Sequence, residues 1–212
     1  MYISRVEIDV QDRQKIMDLS HLAAYHNWVE ESFPEEFEQS VRSRKLWRLD
    51  SVAGKDYLLV ISRQKPELDQ LERYGVPGSA ETKNYQSFLD SLADGQKGRF
   101  RATLNPVISV MDNSNGKRGR VMPHITVDHQ RKFLVDRSEK NGFRLEDDEF
   151  EIVERGFVPF RKKGQKVIRL SKVIYEGILT ISDVDLFRKT LTEGVGKKKA
   201  YGFGMFTFIP VR

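Results

Sequence analysis

The sequence predicts an α+β fold made of two tandem ferredoxin-like (RRM-like) βαββαβ domains, and three observations carry that expectation. Along the N-terminal half the apolar residues switch from a spacing of two to helical spacing and back. The same order of elements returns after a polar stretch with two glycines at residues 92–98. The charge balance reverses there too: residues 1–95 hold 12 Lys+Arg against 17 Asp+Glu, and residues 96–212 hold 24 against 14. A chain of 212 residues can bury two cores of this size. The expected domains are 1–94 and 97–212.

Val6, Ile8 and Val10 alternate with polar residues as a half-buried strand does, and Leu19 to Phe33 changes to helical spacing. Leu46–Leu49 and Tyr57–Ser62 read as strands joined around Ala53-Gly54-Lys55, Pro66–Arg73 as a short helix, and Thr82–Phe88 as the fourth strand. In the second cycle Arg99–Leu104 is a strand and Thr126–Glu139 a helix. Phe150–Pro159 and Val167–Ile181 are long β segments around a basic turn. Ser182 is the expected N-cap of the last helix, with Asp185 as its capping-box acid, and Gly194 is expected at a positive φ after it. Phe203–Pro210 closes the sheet. This βαββαβ order is the split βαβ scaffold also used by RNA-recognition domains.

The absence of cysteine removes disulfides, thiolate nucleophiles and Cys-containing zinc sites. No apolar run reaches 18 residues, and Met1 leads straight into an alternating pattern, so the expectation is a cytoplasmic chain with no membrane partner. The basic C-terminal half would meet a polyanion first.

His26 falls on the apolar arc of the first helix with Leu19, Leu22, Ala23, Val29 and Phe33, which fits either a packed histidine or a reactive one. His21 lies off that arc. Neither His21/His26 nor His124/His129 has the i, i+4 spacing that pairs imidazoles on one helical face, so no metal site is expected. The run from Gly194 to Gly204 contains four glycines and Lys197, Lys198 and Lys199. Open backbone amides beside ammonium groups suit phosphates, although the spacing is neither that of a P-loop nor that of a dinucleotide fingerprint. A helix cap accounts for Gly194 alone. Lys117, Arg118 and Arg120 form a second basic segment, and Arg161, Lys162, Lys163 and Lys166 a third at the expected tip of a hairpin. With Arg99, Arg101, Arg169 and Lys172 they would make a basic surface able to follow an RNA stem.

Several of these segments together resemble the CasE family of CRISPR proteins. They are Met1-Tyr2-Ile3-Ser4-Arg5-Val6, the His26 helix ending in Phe33-Pro34, and Phe88 to Leu92 leading into Arg99-Phe100-Arg101-Ala102 and Asn105-Pro106. Arg120-Val121-Met122-Pro123, Tyr175–Ile181 and the glycine-rich tail through Gly204 complete the likeness. The resemblance implies a metal-independent endoribonuclease without cofactors. Such an enzyme cuts CRISPR repeat RNA hairpins by 2′-hydroxyl attack, leaves a 2′,3′-cyclic phosphate, and stays with its product beside other Cascade subunits. It implies that His26 is the general acid/base, and it carries the family's hairpin contacts to Lys162, Lys163 and Lys166. Family members often carry a tyrosine three residues before the histidine, where this chain has Ala23. Tyr25, directly before His26, is the nearest substitute, although one residue turns about 100° around a helix. The rival reading is a non-catalytic RNA-binding subunit on the same scaffold.

Overall fold

The computed structural model describes residues 1–39, 41–110, 120–160 and 166–211. The N-terminal half runs β1 (Tyr2–Glu7), α1 (Arg13–Asp18), α2 (Leu22–Glu31), α3 (Pro34–Glu38), β2 (Leu46–Val52), β3 (Lys55–Ser62), α4 (Leu68–Leu71), β4 (Glu81–Asn84) and α5 (Gln86–Asp90). Its four strands lie in the order β2-β3-β1-β4, with β1 antiparallel to both β3 and β4. Ala53 and Gly54 both take positive φ, which matches the twist of a two-residue hairpin turn between β2 and β3. The expected fourth strand stops at Asn84, because Tyr85 turns in to the core and starts α5.

The C-terminal half runs β5 (Lys97–Leu104), β6 (Val107–Val110), β7 (Arg120–Pro123), α6 (Val127–Ser138), β8 (Phe143–Arg144), β9 (Phe150–Phe160), β10 (Ile168–Ile181), α7 (Val184–Glu193) and β11 (Phe206–Pro210). Its sheet order is β11-β5-β10, with β8 and β9 following one another along the outer edge of β10. Both sheets therefore have the strand order 4-1-3-2 of a ferredoxin-like βαββαβ unit, and the β6-β7 hairpin is an insertion after the first strand of the second. The N-cap of α7 is Asp183 rather than the expected Ser182, since its carboxylate accepts from the Leu186 amide at 2.9 Å. Asp185 pairs instead with Arg188 at 3.0 Å.

The first half has a core of its own and shares a second, larger one with the C-terminal half. One apolar cluster lies between the first sheet and its helices and holds Val6, Trp28, Val29, Phe33, Trp47, Leu58 and Val60. The larger one mixes Leu46, Ile61, Tyr85, Leu89 and Leu92 with Phe100, Phe133, Phe143, Phe187 and Phe206 of the C-terminal half. Successive residues of β2 and β3 go to different clusters, Trp47 and Val60 to the first, Leu46 and Ile61 to the second. A strand whose alternate residues are both apolar has no solvent face, and here the second half covers what would otherwise be one.

Candidate active site

His26 sits where α2 of the first half meets the glycine-rich loop of the second. Trp28 orients the helix: it is buried, and its indole nitrogen donates to the Leu71 carbonyl at 3.1 Å, tying α2 to α4. His21 is exposed and caps α2, its Nδ1 accepting from the Ala24 amide at 3.0 Å. Two residues before Trp28, His26 falls at the margin of the packed arc rather than inside it, with its side chain 25 % exposed. It is thus neither the packed core histidine nor a freely solvated one.

The loop that meets it is glycine-rich for packing reasons. Gly202 has a φ of 80°, and a Cβ there would come within 2.7 Å of the Trp47 ring. At Gly204, φ 89°, a Cβ would lie 2.7 Å from the Val195 carbonyl. Trp47 donates its indole N–H to the Ala200 carbonyl at 3.0 Å, so β2 of one half holds the loop of the other. The Tyr201 ring is thereby brought edge-on to the His26 imidazole, with centroids 5.3 Å apart, and packs on Phe160 at 4.4 Å.

Behind the imidazole lies a row of charge. His26 Nδ1 is 3.9 Å from Glu30 Oε1, one turn further along α2. The other oxygen of Glu30 takes Lys45 at 3.3 Å, and Lys45 also reaches Glu36 at 2.6 Å. Lys45 is buried, Glu36 is further held by the amide and hydroxyl of Ser43, and the ammonium group lies over the Phe33 ring. Burial pulls the His26 pKa below the usual imidazole value; Glu30 opposes that, while Arg42 and Lys45 add to it. The imidazole is therefore neutral at pH 7 and can accept a proton.

The three adjacent lysines do different things. Lys197 is exposed and donates to the Ser109 hydroxyl at 3.1 Å. Lys198 has a φ of 65°, which turns its side chain away from that of Lys197, and its ammonium lies 4.7 Å from the centre of the Phe160 ring. Lys199 points inward and caps α7, donating to the carbonyls of Glu193, at 2.9 Å, and Gly194. Burial lowers its pKa, Arg44 adds to this, and Glu193 opposes it.

Tyr25 does not join His26. Its ring stacks on Trp47 with centroids 5.9 Å apart, on a different side of α2, and burial, then Asp56, raises its pKa. Arg120 and Lys166 are exposed where their hairpins approach the turn, whereas Lys117, Arg118, Arg161, Lys162 and Lys163 lie outside the described residues. The continuous basic surface expected of β5 and β10 is interrupted by carboxylates. Arg101 pairs with Asp50 at 3.2 Å and with Glu176, and Lys172 pairs with Glu154 at 2.7 Å. Tyr201, Glu30 and Lys45 were missed from sequence. Glu30 alone carried a local signal, the i, i+4 spacing from His26.

The sequence profile described as CRISPR associated protein matches residues 1–210. The chain belongs to that family. Among curated relatives, the CRISPR-associated endoribonuclease Cse3 of Thermus thermophilus is 27 % identical over 221 residues, covering 99 % of this chain and all of the relative. Among solved structures, CRISPR endoribonuclease Cse3 bound to a 19-nucleotide RNA superposes with a TM-score of 0.82 at 26 % identity, over 99 % of this chain and 100 % of that one. A chain of a CRISPR RNA-guided surveillance complex shares the fold, with a TM-score of 0.67 at 20 % identity and full coverage of both chains. The CasE resemblance and the paired ferredoxin-like architecture read from sequence are both borne out for this member of the CRISPR family.

Proposed function

We propose that this chain is a metal-independent endoribonuclease that cuts the repeat hairpins of CRISPR precursor RNA and remains with the mature RNA among the other subunits of a Cascade complex. The observation that carries the reading is His26, a half-buried imidazole with a depressed pKa, wedged between Glu30 and Tyr201 beside a lysine-bearing loop. A full-length relative named an endoribonuclease, a superposable chain with RNA bound, and a chain of an RNA-guided surveillance complex support it.

In the reaction His26 takes the proton of the ribose 2′-hydroxyl as that oxygen attacks the adjacent phosphorus. The bond from phosphorus to the 5′ oxygen breaks, a 2′,3′-cyclic phosphate forms, and the leaving oxygen gains a proton to become a 5′-hydroxyl. Lys198, beside Tyr201 and Phe160, offsets charge as it builds on the phosphoryl oxygens, Lys197 contacts a neighbouring phosphate, and Lys199 holds the loop that presents them. Arg120 and Lys166, with Lys117, Arg118, Arg161, Lys162 and Lys163, supply phosphate contacts along the stem. Residues 1–94 thus contribute the histidine, and residues 97–212 the loop and the basic hairpins.

The test is single-turnover cleavage of a repeat hairpin in EDTA by wild type and His26→Ala, with RNA binding measured for both. Wild type cuts without added metal, and the variant loses about 10²- to 10⁴-fold in rate with binding kept. Equal cutting by both moves the chemistry away from His26. Binding without cutting by wild type leaves the non-catalytic reading standing.

A further inference from the structure

On the far side of the glycine-rich loop from His26 lies a cavity of about 670 Å3 between the base of the β6-β7 hairpin and α6. Its size is within the range of pockets that take small organic groups. Its lining has two parts. The His124 and His129 rings lie 5.8 Å apart, His124 packs edge-on to Phe133 at 5.8 Å, and Ile108 and Ile125 form an apolar rim, 50 % and 62 % exposed. The charged part is basic. Lys132 is matched by Asp136 at 2.7 Å, but Arg137 lies over Phe133 and donates to its carbonyl, and Lys197 donates to the neutral Ser109 hydroxyl. Among the described residues Lys197 has no carboxylate partner in an ion pair. Burial keeps His124 below the ordinary imidazole pKa, and the neighbouring His129 and Arg137 act in the same direction against Asp136, so its face is that of a neutral aromatic ring at pH 7.

We infer that this pocket holds an unpaired nucleotide of the RNA, its base against the histidine rings and the isoleucine rim and its phosphate at Lys197. Unpaired bases are bound by stacking on aromatic side chains, and every base has the flat face this requires. The connection to the cleavage site is covalent: Lys197 lines the pocket, and Lys198, the next residue, packs on Tyr201 and Phe160 beside His26. A strand held by both lysines would therefore touch the loop beside His26 and the pocket at Lys197. The inference rests on the RNA-binding reading above and adds to it a subsite apart from His26 and from the basic tips of the hairpins.

The experiment compares equilibrium binding of two synthetic RNAs to the full chain: a repeat hairpin with single-stranded flanks, and the same stem trimmed flush. Wild type prefers the flanked RNA about tenfold, the worth of one stacked base. The double variant His124→Ala/His129→Ala loses that preference and binds the flush stem as wild type does. Ile125→Asp, at an exposed rim position where the fold is not at stake, loses it as well. Wild type binding both RNAs equally, or variants that keep the preference, overturns the pocket while leaving the nuclease reading intact. Failure of wild type to bind either RNA overturns both.

Discussion

Two of the seams that join the halves of this protein are each built around a basic side chain. At the first, Arg48 on β2 is buried, yet all three nitrogens of its guanidinium donate hydrogen bonds. It holds Asp50 at 2.8 and 2.7 Å, the Arg101 carbonyl at 2.9 Å and the Thr207 hydroxyl at 3.0 Å, the last two across the seam. At the second, the His26 ring touches Tyr201 through its edge and faces Glu30 at 3.9 Å, too far for a full hydrogen bond. A basic group with every nitrogen engaged serves the fold, whereas one held in place with a ring nitrogen uncommitted can take part in a reaction.

The contrast can be broken most directly by unfolding. Arg48→Ala should cost about 3 kcal/mol, because the half-buried Asp50 loses its closer partner and the Arg101 carbonyl and Thr207 hydroxyl lose their donor, whereas His26→Ala should cost less than about 1 kcal/mol. Urea denaturation of both variants decides it, and equal costs would make the two seams alike. Next in size is Tyr201→Ala, which removes the ring that fixes the imidazole and should slow cleavage about two- to tenfold, while Tyr201→Phe keeps wild-type rate. A phenylalanine variant as slow as the alanine variant would assign the work to the hydroxyl instead.

The pH profile sharpens the second seam. With His26 as the base, single-turnover cleavage rises with pH through a limb lying below the usual imidazole value of about 6.5. Glu30 favours the charged ring, so Glu30→Gln moves that limb to still lower pH. A limb that moved upward would place another group in the role. The smallest effect separates the lysines. Lys197→Ala should reduce the salt dependence of RNA binding by about one counterion, and Lys199→Met should leave it unchanged while destabilising the loop it caps.

Much of this was legible along the chain. The change of period marked β1, α2, β5 and β10, and the hairpin turn at Ala53-Gly54 could be placed to within a residue. His26 and the glycine-rich loop could be singled out because histidine in a helix and clustered glycine and lysine are local features. The cap at Asp183 could not be told from Ser182, since both residue types cap helices and the choice depends on where the chain enters from β10. Tyr25 and Tyr201 illustrate the harder limit. The tyrosine next to His26 in sequence stacks on Trp47, and the one that reaches the imidazole is 175 residues away.

The sequence by itself determined the order and type of the principal strands and helices, the reversal of charge between the halves, and His26 and the lysine-bearing loop as groups able to carry chemistry, because periodicity, charge and residue type are properties of short stretches. The tertiary structure alone decided that the larger core is shared between the halves, that Arg101 and Lys172 are spent on carboxylates, and that Lys197, Lys198 and Lys199 point three ways. Those outcomes depend on which surfaces meet and on the left-handed turn at Lys198, and contacts between distant residues leave no local periodicity to read.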